Sequence, residues 1–270
     1  MKINKIFKQL ILWVGLLLMY VPTICWMWDR WFVRDSYYSH GVLIPFVSLF
    51  LVWQKKKQLS ALEHKSSPIG FPLIIIGVFI HAVSSLARVY FTSGFSMILV
   101  VIGLILYLYG SKVLKEVIFP VFFLLFMVPA PLIIITTISF KMKIFAAEIA
   151  ERILNGMGIV ALREGSLIKM RSTYVLVDDV CSGLRSLISL MALGSIFAFW
   201  MKNKMFKRIL LFISTIPIAI ITNVFRIVFL SIVSEVWGAQ YASGFLHDLS
   251  GFLVFGLAFI LLFAMGRILE

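Results

Sequence analysis

Apolar runs long enough to cross a bilayer recur along the whole chain, separated by short basic clusters. About 18 or more apolar residues in a row read as a membrane span. Hydrocarbon has no water to satisfy main-chain polar groups, so such runs fold as helices. The runs, rather than one large core, account for a composition that is 61% hydrophobic and 14% charged; soluble domains carry roughly 25% charged residues. The sequence therefore predicts an all-α polytopic membrane protein, one transmembrane domain over residues 1–270.

Eight spans fit: Leu10–Trp28, Ser39–Trp53, Ile69–Ala87, Phe91–Tyr109, Val117–Phe140, Ser182–Met201, Ile209–Ser234 and Asp248–Gly266. The second is short and needs help from its neighbours to cross. The fifth carries Pro120, Pro129 and Pro131, which remove backbone donors and predict a kink or two half-helices. The first follows Lys2, Lys5 and Lys8 but is longer than a signal-peptide core and lacks a small-x-small cleavage site, so it reads as retained.

Basic residues orient the spans. With the N-terminus inside, most of them fall in cytoplasmic loops: Lys2, Lys5, Lys8, Lys55, Lys56, Lys57, Lys65, Lys112, Lys115, Lys202, Lys204, Lys207, Arg208 and Arg267. Short outer loops hold only Arg30, Arg34 and Arg88. The positive-inside rule then predicts both termini in the cytoplasm. This pattern also accounts for the net charge of +13, and no nucleic-acid-binding motif accompanies it. The two cysteines, Cys25 and Cys181, are too few for a disulfide framework, and Cys25 reads as small apolar filler.

Residues 141–181 are the one sizeable extracytoplasmic segment. KMKIFAAEIAERILNGMG places Ile144, Phe145, Ile149, Ile153 and Leu154 largely opposite Lys143, Glu148, Glu151 and Arg152. That spacing predicts an amphipathic helix on the outer membrane surface. IVALREGSLIKMRSTYVLVDDV then predicts a short β-hairpin turning at Glu164-Gly165-Ser166.

Three polar residues sit where spans meet the outer interface. Cys181 opens the sixth span, where helix N–H groups and the dipole lower a thiol's pKa and can hold an oxyanion. The alternative is a buried apolar cysteine. Ser182 and Gly183 are small and allow a chain to approach. Arg226 lies about 25 Å along the seventh span, in the outer third of a ~30 Å core. It either snorkels to lipid phosphates or faces an anion or carbonyl oxygen. Asn223 is on the same helix face. His247 opens the last span and is either an interfacial histidine or a general acid/base. Three separate spans thus bring a thiol, an imidazole and a guanidinium to one depth, a set suited to thiol acyl transfer. One Cys and one His beside an Arg are too few ligands for a metal, and no cofactor is expected.

CSGLRSL (181–187), TNVFRI (222–227) and the later His247 resemble the exosortase/archaeosortase family. YYSHGVLIPFVSLFLVW (37–53) is similar to that family's N-terminal signature, and FPVFFLLFMVPAPL (119–132) also fits. The resemblance covers nearly the whole chain. It implies a multi-pass cysteine transpeptidase in the cytoplasmic (inner) membrane, its active site facing the periplasm or exterior. Its partners would be exported proteins bearing a C-terminal motif, transmembrane helix and basic tail, passed to an unknown lipid or glycan acceptor, often in exopolysaccharide producers. It also implies Cys181 as nucleophile, Arg226 as oxyanion stabiliser and His247 as acid/base. Arg185 and Asn223 match motif positions as supporting residues, Tyr38 and His40 fall in the N-terminal signature, and His40 is near the outer end of the second span. Asp178 and Asp179 match no motif position. Two other readings stand: a transporter or polysaccharide-assembly protein, which would want polar residues near the bilayer midplane, and a cysteine protease with water as acceptor.

Overall fold

The computed structural model describes residues 2–178, 182–242 and 245–270, and the side chains of these except at 2–6, 241, 242, 245, 247 and 248. Helices dominate, as the apolar runs require, and one small sheet interrupts them. The chain forms two compact units, Met1–Pro131 and Leu132–Glu270.

The first unit holds α1 (Lys2–Met19), α2 (Val21–Phe32), α3 (Ile44–Gln54), α4 (Lys56–Ala61), α5 (Gly70–Leu86), α6 (Tyr90–Tyr109) and α7 (Ser111–Phe123), with 3-10 turns at Ser39–Leu43 and Leu124–Met127. The expected first span is not one straight helix. It bends by 56° between α1 and α2, because Pro22 in the first turn of α2 has no N–H and its ring displaces the carbonyl four residues back. The helices α5 and α6 pack closely through small residues. A Cβ at Gly70 would lie 2.5 Å from the Gly103 carbonyl oxygen, so glycine at both positions lets the two backbones meet.

Buried polar groups tie this unit together. The Tyr20 hydroxyl is 2.9 Å from Ser96 Oγ, Thr23 Oγ1 is 2.5 Å from Ser93 Oγ, and His81 Nδ1 is 2.7 Å from the same Ser93 oxygen. Interhelical bonds of this kind are worth about 0.6 kcal/mol each in membranes. His81, a residue that hydropathy alone passes over, is buried within this cluster, its ring 4.2 Å from that of Tyr20.

The prolines of the fifth predicted span break it, as their missing donors require. Pro120 sits inside α7 and leaves the Glu116 carbonyl without its helical partner. Lys55 Nζ donates to that oxygen at 2.9 Å and to the Glu116 carboxylate at 2.9 Å. The stretch 128–131, with Pro129 and Pro131, is non-helical. Its ends are held from the other side of the unit: Trp31 Nε1 donates to the Met127 carbonyl at 2.8 Å, and Ala130 N–H donates to the Tyr38 hydroxyl at 3.1 Å. Irregular backbone survives at membrane depth only when protein groups satisfy it in this way.

The second unit holds α8 (Leu132–Gly156), strands β1 (Ala161–Glu164), β2 (Leu167–Met170) and β3 (Tyr174–Leu176), then α9 (Leu184–Trp200), α10 (Met205–Trp237), α11 (Ala239–Ala242) and α12 (Phe245–Leu269). The expected amphipathic helix is not separate. It is the continuation of α8, because nothing in Ile138–Lys143 ends a helix once Pro131 is passed. Its packed face also differs from the expected one. Ala146, Ala147, Ala150 and Leu154 are buried against the sheet and α10, while Phe145 and Ile153 are exposed. Alanine lets neighbouring backbone come close, so the bulky residues are left outside.

The sheet has three antiparallel strands in the order β1-β2-β3, one more than the expected hairpin. The two-residue loop Gly165-Ser166 joins Glu164 to its partner Leu167, and Gly165 has φ +64°. That is the first central position, where a II′ turn favours glycine. Ala161, Ile168 and Val177 face the helices. Ser172 N–H donates to the Glu235 carboxylate at 3.2 Å to each oxygen, and Thr173 Oγ1 lies 3.0 Å from Ser234 Oγ. The turn into β3 is thereby pinned to the end of α10.

Three helices, Tyr90–Tyr109, Met205–Trp237 and Leu249–Leu269, are long and apolar enough to cross a membrane alone, and up to five spans result if each of two broken pairs counts as one. Three further apolar helices, Ser39–Gln54, Gly70–Leu86 and Leu184–Trp200, are shorter. Together these segments fall where the eight apolar runs were read, and their lengths support three to five complete spans.

Candidate active site

The helix α10 is the spine of the site, and it is built from a long apolar run with two interruptions that matter, Asn223 and Arg226. One turn apart, both are buried, and each reaches a different neighbouring helix.

Asn223 meets the start of α9. Gly183 is the residue just before α9 and adopts φ +81°, ψ −5°, the left-handed region that favours glycine. A Cβ at 183 would lie 2.8 Å from Asn223 Cγ and 2.9 Å from its Cβ. Gly183 is therefore demanded twice, by its dihedral angles and by the amide pressed against it. Ser182 is buried, and its Oγ accepts the Leu184 N–H at 3.3 Å. The Gly183 carbonyl accepts the Leu187 N–H at 2.9 Å and so opens the helical ladder. Arg185 follows on the first turn, half-buried.

Arg226 meets α12. Its Nε donates to Ser250 Oγ at 2.9 Å. A Cβ at Gly251 would lie 3.7 Å from Arg226 Nη2, so the guanidinium lies along the Ser250-Gly251 pair. Position 247 is one helical turn before that pair on α12. Burial sets the guanidinium of Arg226 in a low-dielectric environment, where a positive charge acts strongly on a developing anion.

The structure brings Ser182, Gly183 and Asn223 together, and Arg226 together with Ser250 and Gly251. Cys181 lies outside the described residues, as do Asp179 and the side chain of His247. In sequence Cys181 is two residues before Gly183, and the backbone of His247 falls in the first turn of α12. Asp178 is exposed. Among the described residues, no cluster of three or more His, Cys, Asp or Glu side chains is set to hold a metal ion.

Tyr38 and His40 belong to the other unit, where their rings stack at 6.1 Å. The hydroxyl of Tyr38 is the acceptor that holds Ala130. Burial pushes its phenol above the ordinary range, and the bond from Ala130 offsets this only in part. Ser250 and Gly251 were not singled out by sequence. Their signal was present in HDLSG: a small polar residue and a glycine three and four positions after His247, one turn along the same helix.

The model of the transmembrane exosortase family (EpsH type) matches residues 27–264. The chain belongs to that family. Membership supports a membrane transpeptidase-type role in general, and such enzymes generally work through a cysteine. No curated protein and no solved structure matches this exosortase. The matched stretch contains the site residues from Ser182 through Arg226 to Gly251.

Proposed function

We propose that this exosortase is a cysteine transpeptidase of the cytoplasmic membrane, with eight spans, both termini inside and its site facing outward. It cleaves a C-terminal sorting signal of exported proteins and transfers the protein to a surface acceptor. Residues 1–270 act as one functional domain.

The observation that carries this reading is the anchored, buried guanidinium of Arg226 beside the turn of α12 that begins at His247. A buried arginine used only to reach lipid phosphates would not be tethered inward to a serine. The proposed cycle starts with the Cys181 thiolate paired to protonated His247. The sulfur attacks the scissile carbonyl carbon, and the carbonyl π electrons move onto oxygen. Arg226 stabilises that oxyanion. Collapse re-forms the C=O bond and expels the amine, which takes its proton from His247. Neutral His247 then removes a proton from the incoming amine, hydroxyl or water as it attacks the thioester, and the thiolate returns. Asn223 and Gly183 set the position of the nucleophile's segment against α10; Arg185 supports it from the first turn of α9.

The test is Cys181→Ala in the native membrane. Exported proteins with a motif–helix–basic tail should accumulate uncleaved. Normal processing by that variant overturns the mechanism. Mass spectrometry of the mature C-terminus then separates transfer, which leaves an attached group, from hydrolysis, which leaves a free carboxylate.

A further inference from the structure

Among the described residues, the outer edge of β3 is unpaired. Val177 N–H donates to the Ser166 carbonyl and Met170 N–H to the Thr173 carbonyl, while Ile168 is paired with Val175. In an antiparallel ladder, alternate residues bond across the pair. Thr173, Val175 and Val177 thus turn their main-chain groups to β2. Tyr174 and Leu176 turn theirs the other way, and among the described residues no hydrogen bond reaches them. Their side chains are also exposed, at 66% and 53%. Proline, lysine or a bulge would blunt such an edge, and Tyr174–Leu176 has none of these.

The edge is held in the frame of the site. The Thr173 end is tied to Ser234 and Glu235, and Gly183 is pressed on Asn223, all on α10. The strand β3 therefore starts at the outer end of α10, and the chain is back against the same helix at Gly183. Ser234 is eight residues from Arg226, about 12 Å along the helix. An extended chain at about 3.3 Å per residue covers that in three to four residues.

We infer that the outer edge of β3 is the docking strand for the substrate polypeptide, which adds there as a fourth, extended strand. This rests on the transpeptidase reading. The segment that pairs is the one preceding the scissile bond, its residues about three to five before the cleavage point by the spacing above. It runs parallel to β3, because β3 points toward position 181 and the substrate's membrane helix follows the bond. Main-chain pairing gives affinity with little regard to side chains, and the exposed Tyr174 and Leu176 contact alternate substrate side chains. One enzyme can then serve several exported proteins that share only a short motif.

The probe is an exported protein of the same organism with a motif–helix–basic tail that stays uncleaved in Cys181→Ala. Leu176→Pro deletes an outward N–H, which a strand edge tolerates, together with the exposed leucine side chain, whose part Leu176→Ser measures alone. Its processing rate should fall about tenfold, the loss of one or two net hydrogen bonds, while iodoacetamide labels Cys181 at the wild-type rate. Leu162→Ser, exposed on the same sheet at the far strand, should process normally. Wild-type processing by Leu176→Pro overturns the edge, and if Leu176→Ser fails where Leu176→Pro works, side-chain contact with lipid replaces strand pairing. If Leu176→Pro does not accumulate, a Leu176→Cys, Cys181→Ala enzyme decides. It should form a disulfide with cysteines placed three to five residues before the cleavage point, and failure to do so overturns the edge. Processing that survives Cys181→Ala sinks the transpeptidase reading itself, a result distinct from loss of the edge alone.

Discussion

Arg226 Nε and Ser250 Oγ are joined by a 2.9 Å hydrogen bond between two buried side chains on different helices. The bond restrains the guanidinium and spends one of its five donors on anchoring, so the plane of the fork is set by α12. Hydrogen bonds to charged groups are worth about 1.5–3 kcal/mol. Ser250→Ala should lower turnover of a Cys181-dependent substrate by about tenfold or more, with KM little changed. Ser250→Thr keeps the acceptor and should recover most of the loss. If Ala and Thr behave alike in steady-state kinetics, Ser250 has no part in orienting Arg226.

Gly183→Ala should unfold the second unit more readily than a surface change does. A left-handed residue with a Cβ costs about 1–2 kcal/mol, and this Cβ also meets Asn223 at 2.8 Å. Asn223→Gly removes both the Cγ and the Cβ that a Cβ at 183 would meet and leaves the dihedral cost. The double variant should therefore be more stable than the sum of the two single losses predicts. Thermal unfolding in detergent measures this coupling, and strict additivity would show that the contact with Asn223 carries no weight.

Tyr38→Phe should leave the half-buried Ala130 N–H without its acceptor, at a cost of about 1 kcal/mol. Burial of the phenol also sets a pH limit on stability. Burial pushes the phenol above its ordinary value of about 10, so folding favours the neutral form. The associated stability is whole below pH 10 and is lost as pH rises through the raised folded value. The wild-type melting temperature should lose nothing through this group from pH 7 to about 10 and should decline above that. Tyr38→Phe should lack that component, and parallel curves for the two proteins would count against it.

Hydropathy made the helical class and the apolar segments legible, because the bilayer leaves the backbone few choices. Residues 182, 183, 223 and 226 were also legible, as small or polar interruptions at the ends or within one face of apolar runs. Three things were not. Packing on α8 chose alanines over isoleucines, which a hydrophobic-moment argument reverses. The third strand was hidden because YVL is too short to alternate visibly. Ser250 is an ordinary residue until Arg226 is seen to reach it across twenty-four positions of sequence.

Lys55 and Pro120 form a compensating pair that can be tested without any substrate. Proline takes away the N–H that would bond the Glu116 carbonyl, and Lys55 supplies a replacement donor from α3's end. Lys55→Met should destabilise the first unit by about 1–3 kcal/mol, since it strands that carbonyl. Pro120→Ala returns the helical donor, so Lys55→Met should cost less in a Pro120→Ala background. Equal costs in both backgrounds would separate the two residues.

Arg226→Lys distinguishes a charge from a shaped donor. Lysine keeps the positive charge, so a role limited to charge balance in the membrane would survive. It lacks Nε and the planar fork, so it neither binds Ser250 in the same way nor presents paired donors to an oxyanion. Loss of an oxyanion donor typically costs about 10²–10³ in turnover. Processing should fall by that order while the variant reaches the membrane in normal amounts, and Cys181 should still react with iodoacetamide. Because Ser250→Ala removes the anchor and Arg226→Lys removes the fork, combining them should add little to the second loss. Fully multiplicative losses would place Ser250 and Arg226 in separate tasks, and near-wild-type processing by Arg226→Lys would remove the oxyanion role altogether.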